Sequence, residues 1–156
     1  MKKLLLTLLI ILIAASAFGQ EASAPSHQYK AAVIINPLGL LLGTLVLGVT
    51  DITVDVQFAL SKSLALGIEP ELAIGSVSGF GAWGGVLFFP FGNALQGMFI
   101  KLYGGAFSFD SDLYPSALVS VGFQNIWGGF VFSPSIGLKY AGSLMFDWKL
   151  NIGFAF

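Results

Sequence analysis

From position 144 to the carboxyl terminus at Phe156, large apolar side chains alternate without a break with small or polar ones. A strand sends successive side chains to opposite sides. Leu144, Phe146, Trp148, Leu150, Ile152, Phe154 and Phe156 therefore share one face, and Met145, Asp147, Lys149, Asn151, Gly153 and Ala155 share the other. With 56% of the chain hydrophobic, seven apolar positions in strict register would arise by chance in roughly 2% of placements, so the period-two pattern carries information. The first face suits lipid and the second suits a barrel lumen.

The same sorting recurs upstream. Ile52, Val54, Val56, Phe58 and Leu60 oppose Thr53, Asp55, Gln57, Ala59 and Ser61, while Leu64, Leu66, Ile68, Leu72 and Ile74 oppose a set that includes Glu69 and Glu71. Ala117 to Gln124 and Phe130 to Tyr140 alternate in the same way. The rival reading is a polytopic α-helical inner-membrane protein, because uncharged stretches at 31–50, 72–100 and 113–138 are long enough to span a bilayer. Pro37, Pro90, Pro115 and Pro134 fall inside those stretches, together with the glycine cluster at 79–85, which disfavours lipid-facing helices.

Lipid permits no open sheet edge, so strands facing hydrocarbon must close, and an even strand count is expected. The pattern predicts an all-β fold, an eight-stranded antiparallel transmembrane β-barrel, with strands near 34–47, 52–60, 63–76, 80–91, 98–109, 116–125, 130–140 and 144–156. Turns at 61–63, 92–97 and 126–129 then lie at the periplasmic end with the termini, and short ones at 48–51, 77–79, 110–115 and 141–143 face outward. Pro37 interrupts the first strand, leaving open two separate pieces with a bend or short helix at 37–43. Pro70 and Pro134 call for bulges or strand ends. Strands four and five are apolar on both faces; if Lys101 points inward, Phe99 and Tyr103 do too, and if outward it must snorkel.

At the other end of the chain, Lys2 and Lys3 precede an apolar run at 4–13 and small residues at 14–19, the layout of a secretory signal peptide. Cleavage can follow Ala17 or Gly19, and Gly19 is favoured because Gln20 opens a polar stretch; the chain then divides into a signal peptide at 1–19, a polar segment at 20–29 and a barrel at 30–156, expected in the bacterial outer membrane. The chain has no cysteine, which excludes disulfides, a lipidated amino-terminal Cys and thiolate metal sites. Arginine is absent, and beyond Gly19 carboxylates outnumber lysines, so nucleic acid is not an expected partner.

The signal peptide, the eight alternating segments and the terminal Phe154-Ala155-Phe156 resemble small outer-membrane barrels of the OmpA and OmpX type over nearly the whole chain. The resemblance implies that Trp148, Leu150, Ile152, Phe154 and Phe156 form the signal read by the barrel assembly machinery, with outer-membrane lipid as the other partner of a monomer. Asn36-Pro37-Leu38-Gly39, Phe58-Ala59-Leu60-Ser61 and the run from Phe89-Pro90-Phe91 to Gly97 look like an uncharacterised family of exported barrels, one that commonly carries an acidic residue where this chain has Gln57. No activity comes with that likeness.

Asp55, Glu69, Glu71, Lys139, Asp147 and Lys149 all fall on predicted lumen faces. An eight-stranded barrel is filled by side chains, and charges buried there must pair, so a structural charge network is expected. Glu69 and Glu71 share a face and could suggest acid–base or cation chemistry, but the one histidine, His27, precedes the barrel. A lipid-modifying enzyme needs a nucleophile and base within reach of each other, and no such grouping presents itself. The glycine run at 79–85 and the 93–97 segment lack the lysine and strand–loop–helix context of a phosphate loop. No catalytic residue, metal or cofactor is expected. Trp127, Trp148, Tyr103, Tyr114 and Tyr140 are candidates for interfacial girdles, with core packing the alternative for Tyr103. The reading is a barrel with a structural or surface-interaction role; the helical protein and the lipid-modifying enzyme are its alternatives. Deleting Phe156, or replacing it with a charged residue, is expected to lower the amount of folded barrel in the outer membrane while leaving export intact, measured by fractionation; wild-type levels would contradict the assembly role.

Overall fold

The computed structural model describes residues 29–156 apart from 76, 77, 92, 110 and 111. The signal peptide, its cleavage site, most of the polar segment and His27 lie outside the described residues. Eight strands follow in chain order: β1 (Ala31–Ile35), β2 (Val49–Ala59), β3 (Leu64–Gly75), β4 (Gly79–Phe88), β5 (Gly97–Phe109), β6 (Asp112–Trp127), β7 (Phe130–Ala141) and β8 (Ser143–Ala155). Each pairs antiparallel with its sequence neighbours, and β8 returns to β1, closing the barrel. Closure gives every strand a partner on each side along at least part of its length, which hydrocarbon demands.

The first strand is the largest departure from the pattern. It was expected at 34–47, but extended pairing stops at Ile35 and a wide helix of π-type turns takes over at Gly39–Leu47. Pro37 has no N–H to give a ladder, and the leucine-rich run behind it does not alternate. The Asn36 side chain caps the turn by accepting a hydrogen bond from the Gly39 N–H at 3.3 Å, and the Thr44 hydroxyl donates to the Leu40 carbonyl at 2.6 Å. Of the expected outer turn at 48–51, all but Gly48 (φ 65°) is absorbed into β2.

Other boundaries move because glycines at left-handed φ make turns shorter than composition implies. Gly128 (φ 57°) and Gly129 (φ 91°) alone connect β6 to β7, and Gly142 (φ 76°) alone connects β7 to β8. Neither Pro70 nor Pro134 sits at a bulge. Register continues unchanged through both, with the ladder missing only on the side the ring cannot serve: Pro70 pairs with Ala82 on β4, and Pro134 with Leu150 on β8.

Burial alternates along the strands and settles their facing. On β5, Phe99, Lys101 and Tyr103 are buried while Met98, Ile100 and Leu102 are exposed. On β4, Trp83 and Leu87 point inward and Phe88 outward. Tyr103 is thus a lumen residue and not part of a girdle. Met145, expected in the lumen, is 42% exposed at the outer end of β8. The apolar outer wall carries Phe58, Ile68, Val121, Ile136 and Phe154. Near the end that holds the termini, aromatic rings pair across strands, Phe130 edge-on to Phe154 and Trp127 stacked on Phe132.

Single cysteines introduced from 148 to 155 into this cysteine-free chain should react with lipid-phase reagents at Trp148, Leu150, Ile152 and Phe154 and resist at Lys149, Asn151 and Ala155. Labelling with a period near 3.6 would contradict the strand.

Candidate functional site

The lumen is built in layers. At the end that holds the termini the turn after β4 sends Phe89 and Leu95 into the mouth and is tied to the β2–β3 turn by the Phe89 N–H on the Ser63 carbonyl (2.8 Å) and the Ala94 N–H on the Lys62 carbonyl (2.6 Å). It carries Leu95 to full burial beside Phe89, Phe99, Ile126 and Val131. Leu95 holds φ at 71°, the one non-glycine positive φ among the described residues, a strain that such close packing must hold in place. Its carbonyl accepts a hydrogen bond from the Gln124 amide at 2.7 Å, and Gln124 also donates to the Gln57 side chain at 3.1 Å.

Above this apolar layer lie the charges. The β2–β3 register sets Asp55 opposite Glu69, two like charges side by side, which repel unless something bridges them. Lys101 reaches across from β5 and donates to both, at 2.6 Å from Asp55 Oδ2 and 2.8 Å from Glu69 Oε2. Lys149 from β8 holds the other Glu69 oxygen and lies 3.7 Å from Asp147 Oδ2. Asp55 takes further hydrogen bonds from the Gln57 amide (2.8 Å) and the Tyr103 hydroxyl (3.1 Å). The Tyr103 ring needs the space left by Gly67, where a Cβ would fall 1.4 Å from its hydroxyl oxygen. One turn of side chains further out, Lys139 grips both oxygens of Glu71 (2.5 and 2.6 Å) and stands 4.3 Å over the Trp83 ring, itself stacked on Phe107.

The structure therefore brings Asp55, Glu69 and Lys149 into one cluster and Glu71 with Lys139 into a second, while Asp147 stays at the margin. Sequence reasoning left the facing of Lys101 open and did not place Gln57, Tyr103 or Gln124 in the charge network. The signal for Lys101 was present in the i, i+2 spacing of Phe99, Lys101 and Tyr103, but both faces of that strand are apolar enough to hide its phase. The lysine positions saturate the carboxylates with short contacts, so neither Glu69 nor Glu71 is poised as a free base. Among the described residues no group of three His, Asp or Glu side chains could hold a metal, and no serine hydroxyl is hydrogen-bonded to a lysine or carboxylate.

No family model and no curated protein matches the chain. A solved structure does: the outer membrane protein Ail of Yersinia pestis in a phospholipid bilayer nanodisc is similar over 82% of this chain and 99% of that one, with a TM-score of 0.56 and 9% identity. This is an outer-membrane barrel fold. At that identity the likeness speaks for the backbone and not for the lumen, whose side chains belong to this sequence.

Replacing Lys101 by Met leaves Asp55 and Glu69 facing each other in a buried layer and should cost about 3–5 kcal/mol of stability, read as a lower urea midpoint for the folded barrel. A double replacement of Asp55 and Lys101 by uncharged residues, which leaves Glu69 paired with Lys149, should recover most of that loss. A Lys101→Met barrel of unchanged stability would contradict the bridging role.

Proposed function

We propose that the chain is a monomeric barrel of the bacterial outer membrane with a structural or surface-interaction role, neither a conducting pore nor an enzyme. The observation that carries this reading is the filled lumen. Lys101, Lys139 and Lys149 each contact a carboxylate across the interior, and Phe89 and Leu95 pack into the mouth beneath them. An eight-stranded wall leaves room for side chains and little else, so solute passage would require breaking buried ion pairs.

The outer end supports an interaction through wall and rim in preference to long loops. Connections there are residues 76–78, 110–111 and Gly142, and the one extended segment, 36–48, is mostly the Gly39–Leu47 helix. Leu113, Leu144 and Phe146 are exposed at that rim, a surface suited to acyl chains and the lipid boundary. The terminal face of Trp148, Leu150, Ile152, Phe154 and Phe156 is assigned to recognition by the assembly machinery, and outer-membrane lipid is the lasting partner. A helical inner-membrane protein is not supported: no described helix is long and apolar enough to cross a membrane, and the strands form the wall.

Two measurements test the reading together. Membrane extracts should show the protein migrating faster on SDS gels without boiling than after it, as closed barrels do, and the purified protein in planar bilayers should give no stable conductance steps. Absence of a heat shift would overturn the barrel in the membrane; steady channels would overturn the filled lumen.

A further inference from the structure

The barrel is joined unevenly where its ends meet. β1 pairs with β8 only from Ala32↔Ala155 to Ile35↔Ile152, whereas β7 follows β8 to Ala141↔Ser143. Just below this short ladder the main chain of Lys30 is pinned on both sides: its N–H donates to the Phe156 oxygen at 2.9 Å, and its carbonyl accepts from the Ala59 N–H at 2.9 Å. β2 ends at Ala59, and the chain turns tightly, with the Leu60 and Ser61 N–H groups both bonded to the Leu64 carbonyl (2.8 and 3.1 Å). Between the fixed start of β1 and this turn lies a cavity of about 340 Å³, lined by Tyr29, Lys30, Ala59, Leu60 and Ser61. Small-ligand sites begin at roughly that size. One wall is held rigidly, because the Tyr29 hydroxyl accepts the Gly129 N–H of the β6–β7 turn at 3.1 Å.

The chemistry of the lining favours an anion. Lys30 brings an ammonium group, and the Ser61 hydroxyl already accepts the Ser63 N–H at 3.4 Å, which leaves its own proton to give. No carboxylate side chain stands at this end: the stretches 29–31, 59–65, 88–98, 124–131 and 154–156 hold neither Asp nor Glu. The ion pairs among the described residues lie in the lumen, and none involves Lys30 or the adjoining Lys62. The carboxylate of Phe156 is the exception, and the Lys30 and Ala31 N–H groups already hold it (2.9 and 3.0 Å). Leu60 adds a second requirement. It lines the cavity and is also 55% exposed, continuing the apolar outer face of Phe58. The cavity therefore opens at the edge of the lipid-facing wall, where the head and tail of an amphiphile part.

We propose that this cavity binds the phosphate group of a bilayer lipid. The phosphate oxygens take the Lys30 ammonium and the Ser61 hydroxyl, and an acyl chain runs along Leu60 and Phe58. The site rests on the barrel lying in the outer membrane, where this end meets the periplasmic leaflet.

The test uses the folded barrel in uncharged dodecyl maltoside, with bound molecules counted by native mass spectrometry. Phosphatidylglycerol is the first probe, diacylglycerol with the same chains the second, and inorganic phosphate the competitor. One phosphatidylglycerol should bind saturably, diacylglycerol should not, and inorganic phosphate should fail to displace the lipid. Lys30→Gln should weaken binding about tenfold, the loss expected for one charge-assisted contact. Lys62→Gln removes the same charge outside the lining and should change it by less than about twofold. Each variant is read only where the heat shift persists, and Ser61→Ala carries the test should Lys30→Gln fail to fold. Unsaturable adducts, equal binding of diacylglycerol, or equal losses in the two lysine variants would overturn the site. Displacement by inorganic phosphate would overturn the lipid as its source. Loss of the heat shift in the wild type would instead overturn the barrel itself.

Discussion

Main-chain hydrogen bonding in a medium that offers no alternative partner is the constraint on which this molecule rests. Each strand must be flanked on both sides, which forces the sheet to close, and an eight-stranded closure fixes a narrow interior. The narrow interior in turn excludes bulk water from the charged layer, so every lysine there must sit against a carboxylate. Lys101 shows the order of causes. The register that pairs β2 with β3 sets Asp55 beside Glu69, and only a cation from the far wall makes that arrangement tolerable. Side-chain chemistry follows from the ladder, and the ladder follows from the solvent.

The network also marks out one register among many. A one-residue slip of any strand turns its inward set to lipid. Slipping β5 would place Lys101 in hydrocarbon, strip Asp55 of its lysine and take one of two lysines from Glu69. Slipping β8 would do the same to Lys149. Whether buried ion pairs add stability over a well-packed apolar lumen is a separate matter, and replacement of such pairs elsewhere is often neutral. Here their arrangement penalises the wrong alignment of strands whose outer faces are uniformly greasy and would otherwise slide.

Legibility in the sequence followed the contrast between the two faces of each strand. β2, β3, β7 and β8 alternate sharply, and their extents and inward charges were readable within a few residues. β4 and β5 are apolar on both faces, inward because Trp83, Leu87 and Phe99 fill the lumen and outward because lipid surrounds it, so periodicity lost its phase. The first strand misled because hydrophobicity alone does not separate a strand from a helix; Pro37 and the capping Asn36 decided it. The inward placement of Leu95 was invisible, since its cause is contact with residues far away in the chain such as Ile126 and Val131. Of the charge cluster, the six acidic and basic positions with clear facing could be named, while the bridging Lys101 and the neutral amides around it depended on distances across the barrel.

The uneven joining of β1 to β8 has a kinetic side. These strands come from opposite ends of the described chain, and their union is the contact with the greatest loop to close, so it belongs to the end of assembly. Because only a short lower stretch of ladder holds it, the wall behaves like a garment fastened by its bottom buttons. Thermal opening would start at the free upper edge and travel toward the termini, while the long β5–β6 and β7–β8 ladders stayed paired.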